Sequence, residues 1–219
     1  MNPGRMEIAV SLVTAASTLI AWAALGASPG EERKLAPGDP APAFRLPDVT
    51  TGGMISSEDL ASKKVLVVVF MCRHCPYVAH VLDGLVSFGN DYKERDVAIV
   101  GISANDASRY ALDAPDKLKE MALEKKLPFP LLYDESQGVA KAFTAVCTPE
   151  FFVFGPDRRL VYRGQFDDSR PNSGKPVTGK DVRAAVDAVL DGRPVDANQR
   201  PAVGCSIKWR KGNEPPYAK

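Results

Sequence analysis

The chain has 219 residues, of which 45% are hydrophobic and 25% are charged, a composition typical of a globular protein with a sizeable hydrophobic core. Its 28 basic and 27 acidic side chains give a formal net charge of +1, which excludes a nucleic-acid binder that works through bulk positive charge. Four cysteines in a chain of this length exclude a disulfide-dense secreted scaffold, so each cysteine needs its own explanation.

The first 27 residues have the pattern of an export signal. Arg5 precedes an uncharged apolar run that ends at Leu25, and small residues follow it. This order predicts a signal peptide over residues 1–27, with a retained N-terminal anchor as the alternative, because about 18 apolar residues are just enough to span a bilayer. We therefore expect an exported protein, periplasmic or otherwise extracytoplasmic, that contacts the membrane only through an uncleaved segment. Residues 28–36, which are rich in proline, glycine and charge, predict a linker.

A strand–helix–strand unit is the strongest structural signal in the chain. Residues 65–71 form a continuous apolar run rich in β-branched side chains, which predicts a strand buried on both faces, and residues 97–102 predict another. Between them, apolar residues at helical spacing predict a helix over 76–92. Elements of these lengths form a βαβ unit, so the two strands should be parallel.

Further elements are predicted on both sides of this unit. They are a strand at 44–46, a turn at Gly52-Gly53, a helix over 114–126, a strand near 130–132, and strands at 151–154 and 160–162 that form a hairpin. On the 114–126 helix, Leu118, Met121 and Leu123 are expected to face the core. A closing helix follows Thr178, which forms a capping-box pattern with Asp181. This α/β domain should cover residues 37–192, and residues 193–219 should form an irregular tail.

Two cysteines stand where the first buried strand gives way to the helix, in the string Cys72-Arg73-His74-Cys75-Pro76. At this position free backbone N–H groups and the helix dipole stabilise a thiolate. Cys72, expected to be the more exposed thiol, is the predicted nucleophile, and Cys75 is the predicted resolving thiol. The positive charge of Arg73 and His74 should favour the thiolate and tune the redox potential. A Cys-x-x-Cys pattern at this kind of junction predicts thiol–disulfide exchange.

The order of the motifs resembles the thioredoxin-like superfamily over about residues 37–192. Cys-x-x-Cys follows a buried strand, and Thr148-Pro149 precedes a hairpin and a closing helix. The opening at 38–46 is similar to the redoxin (AhpC/TSA-type) branch, and the strings at 72–78 and 204–209 (Gly-Cys-Ser-Ile-Lys-Trp) resemble its peroxiredoxin-like group with a thioredoxin-type Cys-x-x-Cys.

The resemblance implies a thioredoxin-like fold, with a central mixed β-sheet flanked by helices. It also implies a cis peptide at Thr148-Pro149 that faces the active-site sulfurs, where the Thr148 backbone could pair with a substrate strand. The expected partners are a protein thiol or disulfide substrate and a protein reductant or oxidant. No cofactor and no nucleic acid are expected.

Departures from the peroxiredoxin pattern favour disulfide exchange over peroxide reduction. The resemblance places the peroxide-attacking thiol at Cys75, but Cys72 stands where peroxiredoxins carry threonine or serine, and Pro149 or its neighbours stand where an arginine should orient peroxide. A thiol-dependent antioxidant peroxidase that uses Cys75 is the alternative. Leu66 occupies the position of thioredoxin's buried aspartate, so proton transfer to the resolving thiol needs water, His74 or another group.

The other two cysteines, Cys147 and Cys205, have three interpretations that the sequence leaves open. They could form a structural disulfide that ties the tail to the domain, act as a second redox pair or relay near Cys72, or remain buried thiols. A Cu(I)- or Zn-binding module that uses the Cys-x-x-Cys pair and a histidine is a further alternative. Of the two histidines, His80 lies beyond the motif and is expected to be solvated or half-buried on the helix.

Overall fold

A computed structural model describes Met1 and residues 33–218 of the chain. The predicted export signal at 1–27 therefore lies outside the described residues, as does most of the predicted linker. The chain divides into two units, Met1–Glu31 and Glu32–Lys219, and the fold described below is that of the second unit. Among residues 33–218, no helix has the length and apolar character that crossing a membrane requires.

Nine strands and four α-helices make up the described unit. The strands are β1 (Arg45–Pro47), β2 (Met54–Ser56), β3 (Val65–Phe70), β4 (Val97–Ser103), β5 (Leu131–Tyr133), β6 (Cys147–Thr148), β7 (Glu150–Phe154), β8 (Leu160–Gly164) and β9 (Cys205–Ser206). The helices are α1 (Pro76–Tyr92), α2 (Pro115–Glu124), α3 (Gly138–Ala142) and α4 (Lys180–Leu190). Two 3₁₀ turns, at Ala111–Asp113 and Pro216–Ala218, complete the described structure.

Five strands form one mixed sheet in the order β5-β4-β3-β7-β8. β3 is parallel to β4 and β4 to β5, whereas β7 runs antiparallel to β3 and β8 runs antiparallel to β7. Strand β3 is therefore paired on both edges, and all six of its residues are buried. The predicted βαβ unit, the predicted hairpin and the predicted central mixed sheet flanked by helices are confirmed.

Each face of the sheet packs against a different set of elements because side chains alternate along β3. Val65, Val67 and Val69 contact the layer that contains α1, α2 and α4. Leu66, Val68 and Phe70 face the opposite layer, which contains α3 and two residues of the C-terminal tail, Ile207 and Trp209. Phe143 lies at the centre of this second layer. Its ring packs edge-on against three other buried phenylalanines, Phe70, Phe152 and Phe154.

The prediction that Leu123 faces the core is wrong. Leu118, Met121 and Ala122 form the buried face of α2, while Leu123 is 59% exposed. Successive residues of a helix differ by about 100° in direction, so a core face made by residues at i, i+3 and i+4 turns the next residue towards solvent.

The predicted capping box at the start of the last helix is also wrong. The N-cap residue of α4 is Gly179, with a positive φ of 66°, and the Thr178 hydroxyl accepts the N–H of Lys180 over 3.3 Å and not that of Asp181. The buried carboxylate of Asp167 accepts hydrogen bonds from the N–H groups of Thr178 and Gly179 instead, at 2.7 and 2.6 Å. Asp181 binds the side chains of Gln165 and Lys180. The N–H of Asp181, which the box pattern assigned to the Thr178 hydroxyl, bonds to the Phe166 carbonyl over 3.2 Å, and Asp167 accepts the N–H of Thr178 that the pattern assigned to Asp181.

Two leucines of α2 provide a matched test of this packing. Leu118→Ala should reduce the free energy of unfolding by about 2–5 kcal/mol, because Leu118 is 0% exposed and its truncation leaves a cavity. Leu123→Ala should change it by less than about 0.5 kcal/mol, because that side chain lies in solvent. Urea denaturation followed by circular dichroism measures both, and equal losses would contradict the assignment of the buried face.

Candidate active site

The Cys-x-x-Cys pair lies at the carboxyl end of β3 and the amino end of α1, as predicted. Cys75 is the N-cap residue of α1 and has an extended backbone, and Pro76 is the first helical residue, where the missing N–H group costs no hydrogen bond. Both Cys72 and Cys75 are 0% exposed. The expectation that Cys72 is the more exposed thiol is therefore wrong, because other segments of the chain cover both sulfurs.

Thr148 contacts both sulfurs, and its bond to Pro149 is cis, as predicted from the resemblance. The Thr148 hydroxyl lies 3.3 Å from the Sγ atom of Cys72. The Thr148 carbonyl oxygen accepts a hydrogen bond from the Sγ atom of Cys75, over 3.2 Å. A carbonyl can only accept, so this contact favours a proton on Cys75, whereas the hydroxyl can donate to a thiolate on Cys72.

The two thiols titrate as a pair. A hydrogen bond between them lowers the pKa of Cys75 and raises the pKa of Cys72, and burial of Cys72 raises its pKa further. The N–H group of Val78, in the first turn of α1, also lowers the pKa of Cys75. The pair therefore loses its first proton readily and its second with difficulty, and the single negative charge is shared between two sulfurs that exchange one proton.

Asp113 is a site residue that the sequence patterns did not indicate. Its buried carboxylate accepts hydrogen bonds from the backbone N–H groups of Arg73 and His74, at 2.8 and 3.1 Å, and from the amide of Asn105 at 2.8 Å. It also contacts Nδ1 of His74. One sequence feature could have indicated this region. The polar pair Asn105-Asp106 follows β4, whose carboxyl end lies beside that of β3 because the two strands are parallel, and Asn105 is a partner of Asp113.

The two residues between the cysteines have different surroundings. The His74 ring stacks on Tyr110, with its centroid 5.0 Å away, and its Nδ1 atom lies 3.8 Å from the sulfur of Cys72. The Arg73 guanidinium donates to the Lys117 carbonyl over 2.6 Å and pairs with Glu120 over 2.9 Å. His74 is therefore placed to influence Cys72, whereas the charge of Arg73 is directed to α2 and is offset by a carboxylate there.

A cluster of three ligand-type atoms bears on the predicted metal-binding alternative. The Sγ atom of Cys72, a ring nitrogen of His74 and a carboxylate oxygen of Asp113 lie within 4.8 Å of one another. The predicted ligand set differs, because it contained Cys75 and did not contain Asp113. The Asp113 carboxylate already accepts three N–H groups besides its contact with His74, so a metal ion would have to displace part of this network. His80 is half-buried, as expected, and bonds to Ser169 instead.

The C-terminal tail reaches the active site. Strand β9 pairs antiparallel with β6, and Cys205 stands opposite Thr148 while Ser206 stands opposite Cys147. The backbone edge that was expected to receive a substrate strand is thus occupied by the chain's own tail. Cys147 is buried, which raises its pKa to about 12. Cys205 is half-buried, and its pKa is raised to about 11 by burial and by a hydrogen bond with Cys75.

Comparison with known proteins adds the family context. Residues 37–163 match the AhpC/TSA family. A Mycobacterium tuberculosis protein named as a peroxiredoxin is 31% identical over 133 residues, which cover 61% of this chain and 78% of that protein. An uncharacterized conserved protein from Geobacillus kaustophilus, whose crystal structure is known, is 50% identical with a TM-score of 0.79, over 80% of this chain and 93% of that one.

A third match concerns the fold alone. The thioredoxin domain of a thiol-disulfide oxidoreductase from Bacteroides vulgatus superposes with a TM-score of 0.53 at 21% identity, over 68% of this chain and 97% of that one. The thioredoxin-like fold predicted from the motif order is therefore confirmed.

Removal of the Thr148 hydroxyl tests its electrostatic role. Thr148→Val should raise the pH midpoint of alkylation of the Cys72–Cys75 pair by about one unit, because a hydroxyl that donates to a buried thiolate stabilises the charged form. Iodoacetamide labelling of the reduced protein across pH, read by mass spectrometry, measures the midpoint. Thr178→Val, at an exposed threonine, is the control. A midpoint that is unchanged or lower in Thr148→Val would contradict this role.

Proposed function

The chain belongs to the AhpC/TSA family, and we propose that it is a thiol–disulfide oxidoreductase in which Cys72 and Cys75 cycle between a dithiol and a disulfide. The observation that carries this proposal is the placement of both sulfurs at the amino end of α1, in contact with the backbone and the side chain of Thr148. When two sulfurs share one proton, one is a nucleophilic thiolate and the other remains a thiol that can attack in the second step.

In the proposed cycle, the shared proton moves to Cys75, where the Thr148 carbonyl accepts it, and this leaves the charge on Cys72. The Cys72 thiolate attacks one sulfur of a substrate disulfide and forms a mixed disulfide, and the second substrate sulfur leaves as a thiolate. Cys75 then attacks the Sγ atom of Cys72, which forms the Cys72–Cys75 bond and releases the first substrate sulfur. The proton of Cys75 passes to a departing substrate thiolate, so the substrate gains two electrons and the protein pair is oxidised. The reverse sequence oxidises a substrate dithiol.

The His74–Asp113 contact supports this chemistry in two ways. Asp113 holds the loop between the cysteines through the N–H groups of Arg73 and His74, so it acts as a positioning residue. Its carboxylate and the His74 ring also lie beside Cys72 and can take up or return a proton there. Both groups lie beside Cys72 and therefore serve the nucleophile, whereas at the resolving thiol, Cys75, the Thr148 carbonyl accepts the thiol proton.

The proposed substrate is a protein, and the proposed location is outside the cytoplasm. Leu112, which precedes Asp113, and Val203, two residues before Cys205, are 53% and 47% exposed, so each offers apolar surface next to a residue of the site. Tyr77, His80, Pro149 and Val203 also line one small pocket. The proposal of export rests on the signal-like pattern of residues 1–27, and it names no particular electron donor.

Trapping of the mixed disulfide tests the order of attack. Cys75→Ser, reduced and mixed with oxidised insulin, should accumulate a mixed disulfide at Cys72, because the resolving thiol is missing. Cys72→Ser should lose at least about 90% of wild-type turnover when it catalyses insulin reduction by dithiothreitol. Mass spectrometry of alkylated peptides locates the bond. Wild-type turnover in Cys72→Ser, or a mixed disulfide located only at Cys75, would overturn the assigned roles.

A thiol-dependent peroxidase that uses Cys75 is the second candidate. Cys75 is the N-cap residue of α1, and its hydrogen bond with Cys72 lowers its pKa. Further hydrogen bonds, including one from the Val78 N–H group, lower this pKa as well. The arginine adjacent to the pair in sequence, Arg73, is bound to Glu120, so its guanidinium is directed away from a peroxide at Cys75.

Peroxide kinetics separate the two candidates. With dithiol exchange as the main activity, hydrogen peroxide should form sulfenic acid at Cys75 at a rate within about tenfold of a free cysteine at the same pH, because the guanidinium of Arg73 is held by Glu120 and does not stabilise the transition state. Dimedone labelling of Cys72→Ser/Cys205→Ser, timed after peroxide addition, measures this rate, because no neighbouring Cys205 thiol then consumes the sulfenic acid. Reaction orders of magnitude faster than free cysteine would favour the peroxidase.

A further inference from the structure

Cys205 lies on the same side of its strand pair as the active-site sulfurs. In the β6–β9 ladder Cys205 is opposite Thr148, and neighbouring positions along a strand face opposite sides. The Thr148 side chain faces Cys72, so Cys205 shares the side on which the active-site sulfurs lie. Cys205 packs against the core cluster that contains Cys72 and Cys75. Cys147, opposite Ser206, belongs to the other side, which disfavours a Cys147–Cys205 disulfide.

The backbone of the C-terminal tail approaches Thr148 closely at Gly204. A Cβ atom at Gly204 would lie only 2.0 Å from the Thr148 carbonyl oxygen, so only glycine allows the tail backbone to come this near. On the other side of Cys205, the N–H of Ile207 bonds to the Val146 carbonyl and the N–H of Lys208 bonds to the Asn105 side chain. Specific contacts on both sides therefore hold Cys205 at the Thr148 edge.

The three sulfurs near Thr148 differ in their access to solvent. Cys72 and Cys75 have no exposed surface, whereas Cys205 is half-buried. With the tail in place, Cys205 is therefore the one of these three residues that an external thiol or disulfide meets at the surface.

We propose that Cys205 is a third redox-active cysteine of this site, which exchanges with Cys75 and connects the buried Cys72–Cys75 pair to an external dithiol or protein disulfide. The inference rests on the proposed exchange function.

The proposed exchange step begins when the Cys205 sulfur attacks the Sγ atom of Cys75 within the Cys72–Cys75 disulfide. The Cys75–Cys205 bond forms, the Cys72–Cys75 bond breaks, and Cys72 leaves as a thiolate that gains the proton lost by Cys205. The number of disulfides is unchanged, so the step needs no other oxidant. An external dithiol then reduces Cys75–Cys205.

Disulfide mapping in Cys72→Ser tests the assigned pairing. The full-length protein is oxidised with glutathione disulfide, free thiols are blocked with N-ethylmaleimide, and peptides are read by mass spectrometry. The expected product is a Cys75–Cys205 disulfide in most molecules, with Cys147 alkylated after unfolding. The same bond should form in Cys72→Ser/Cys147→Ala, which excludes a role for Cys147. Persistent glutathione on Cys75 with Cys205 free, or a Cys147–Cys205 bond, would overturn the proposal.

Reduction kinetics test the role of Cys205 separately from the proposed function. The oxidised Cys205→Ser protein should still contain the Cys72–Cys75 bond, but dithiothreitol should reduce it at least tenfold more slowly than wild type, because the remaining sulfurs are buried. Cys147→Ala, the matched control, should react at the wild-type rate. Cys205→Ser/Gly204→Ala should recover part of the rate, because the added methyl group displaces the tail from Thr148.

The results of this experiment separate the two proposals. Wild-type kinetics in Cys205→Ser would overturn the role of Cys205 and leave exchange at Cys72–Cys75 intact. If the wild-type protein forms neither a Cys72–Cys75 nor a Cys75–Cys205 disulfide, the proposed function itself fails.

Discussion

The contact between Thr148 and the two sulfurs is the interaction on which the site depends. The Thr148 carbonyl accepts from Cys75, its hydroxyl faces Cys72, and its strand pairs with the tail strand that carries Cys205. In a reactive dithiol, one sulfur keeps its proton and needs a hydrogen-bond acceptor, and the other becomes a thiolate whose charge needs stabilisation. The Thr148 carbonyl is the acceptor, and the Thr148 hydroxyl contributes to stabilising the charge. The amino end of α1 supplies further N–H groups.

A network of buried polar groups fixes the position of the loop between the cysteines and of the C-terminal tail relative to Thr148. Asn105 bonds to the Asp113 carboxylate through its amide and accepts the N–H of Lys208, so the loop between the cysteines and the C-terminal tail are joined through one side chain. Buried polar groups of this kind are stable only when their partners are present, so movement of the tail leaves Asn105 with an unsatisfied acceptor. The tail is also anchored in the core by Ile207 and Trp209. It is therefore a structural part of the site.

Burial of the thiol pair has opposite consequences for its chemistry. A covered pair is protected from adventitious oxidation, but a large protein partner reaches sulfurs without exposed surface only after a covering segment moves away. The half-buried Cys205 lies at the boundary between the pair and solvent. The arrangement is therefore suited to exchange that passes through the tail or that requires the tail to move away from Thr148.

Sequence patterns alone were enough to predict the β3–α1–β4 unit, the place of Cys72 and Cys75 at a strand-to-helix junction, and the Thr148-Pro149 motif. These are local signals, because an apolar run, a helical period or a dipeptide is read within one segment. The sequence could not determine the role of Asp113 or Asp167, the exposure of Leu123, or the burial of Cys72. Each of these depends on which distant segment packs against the residue. Only the tertiary structure placed Cys205 opposite Thr148, because strand pairing between residues far apart in the chain depends on the packing of the whole domain.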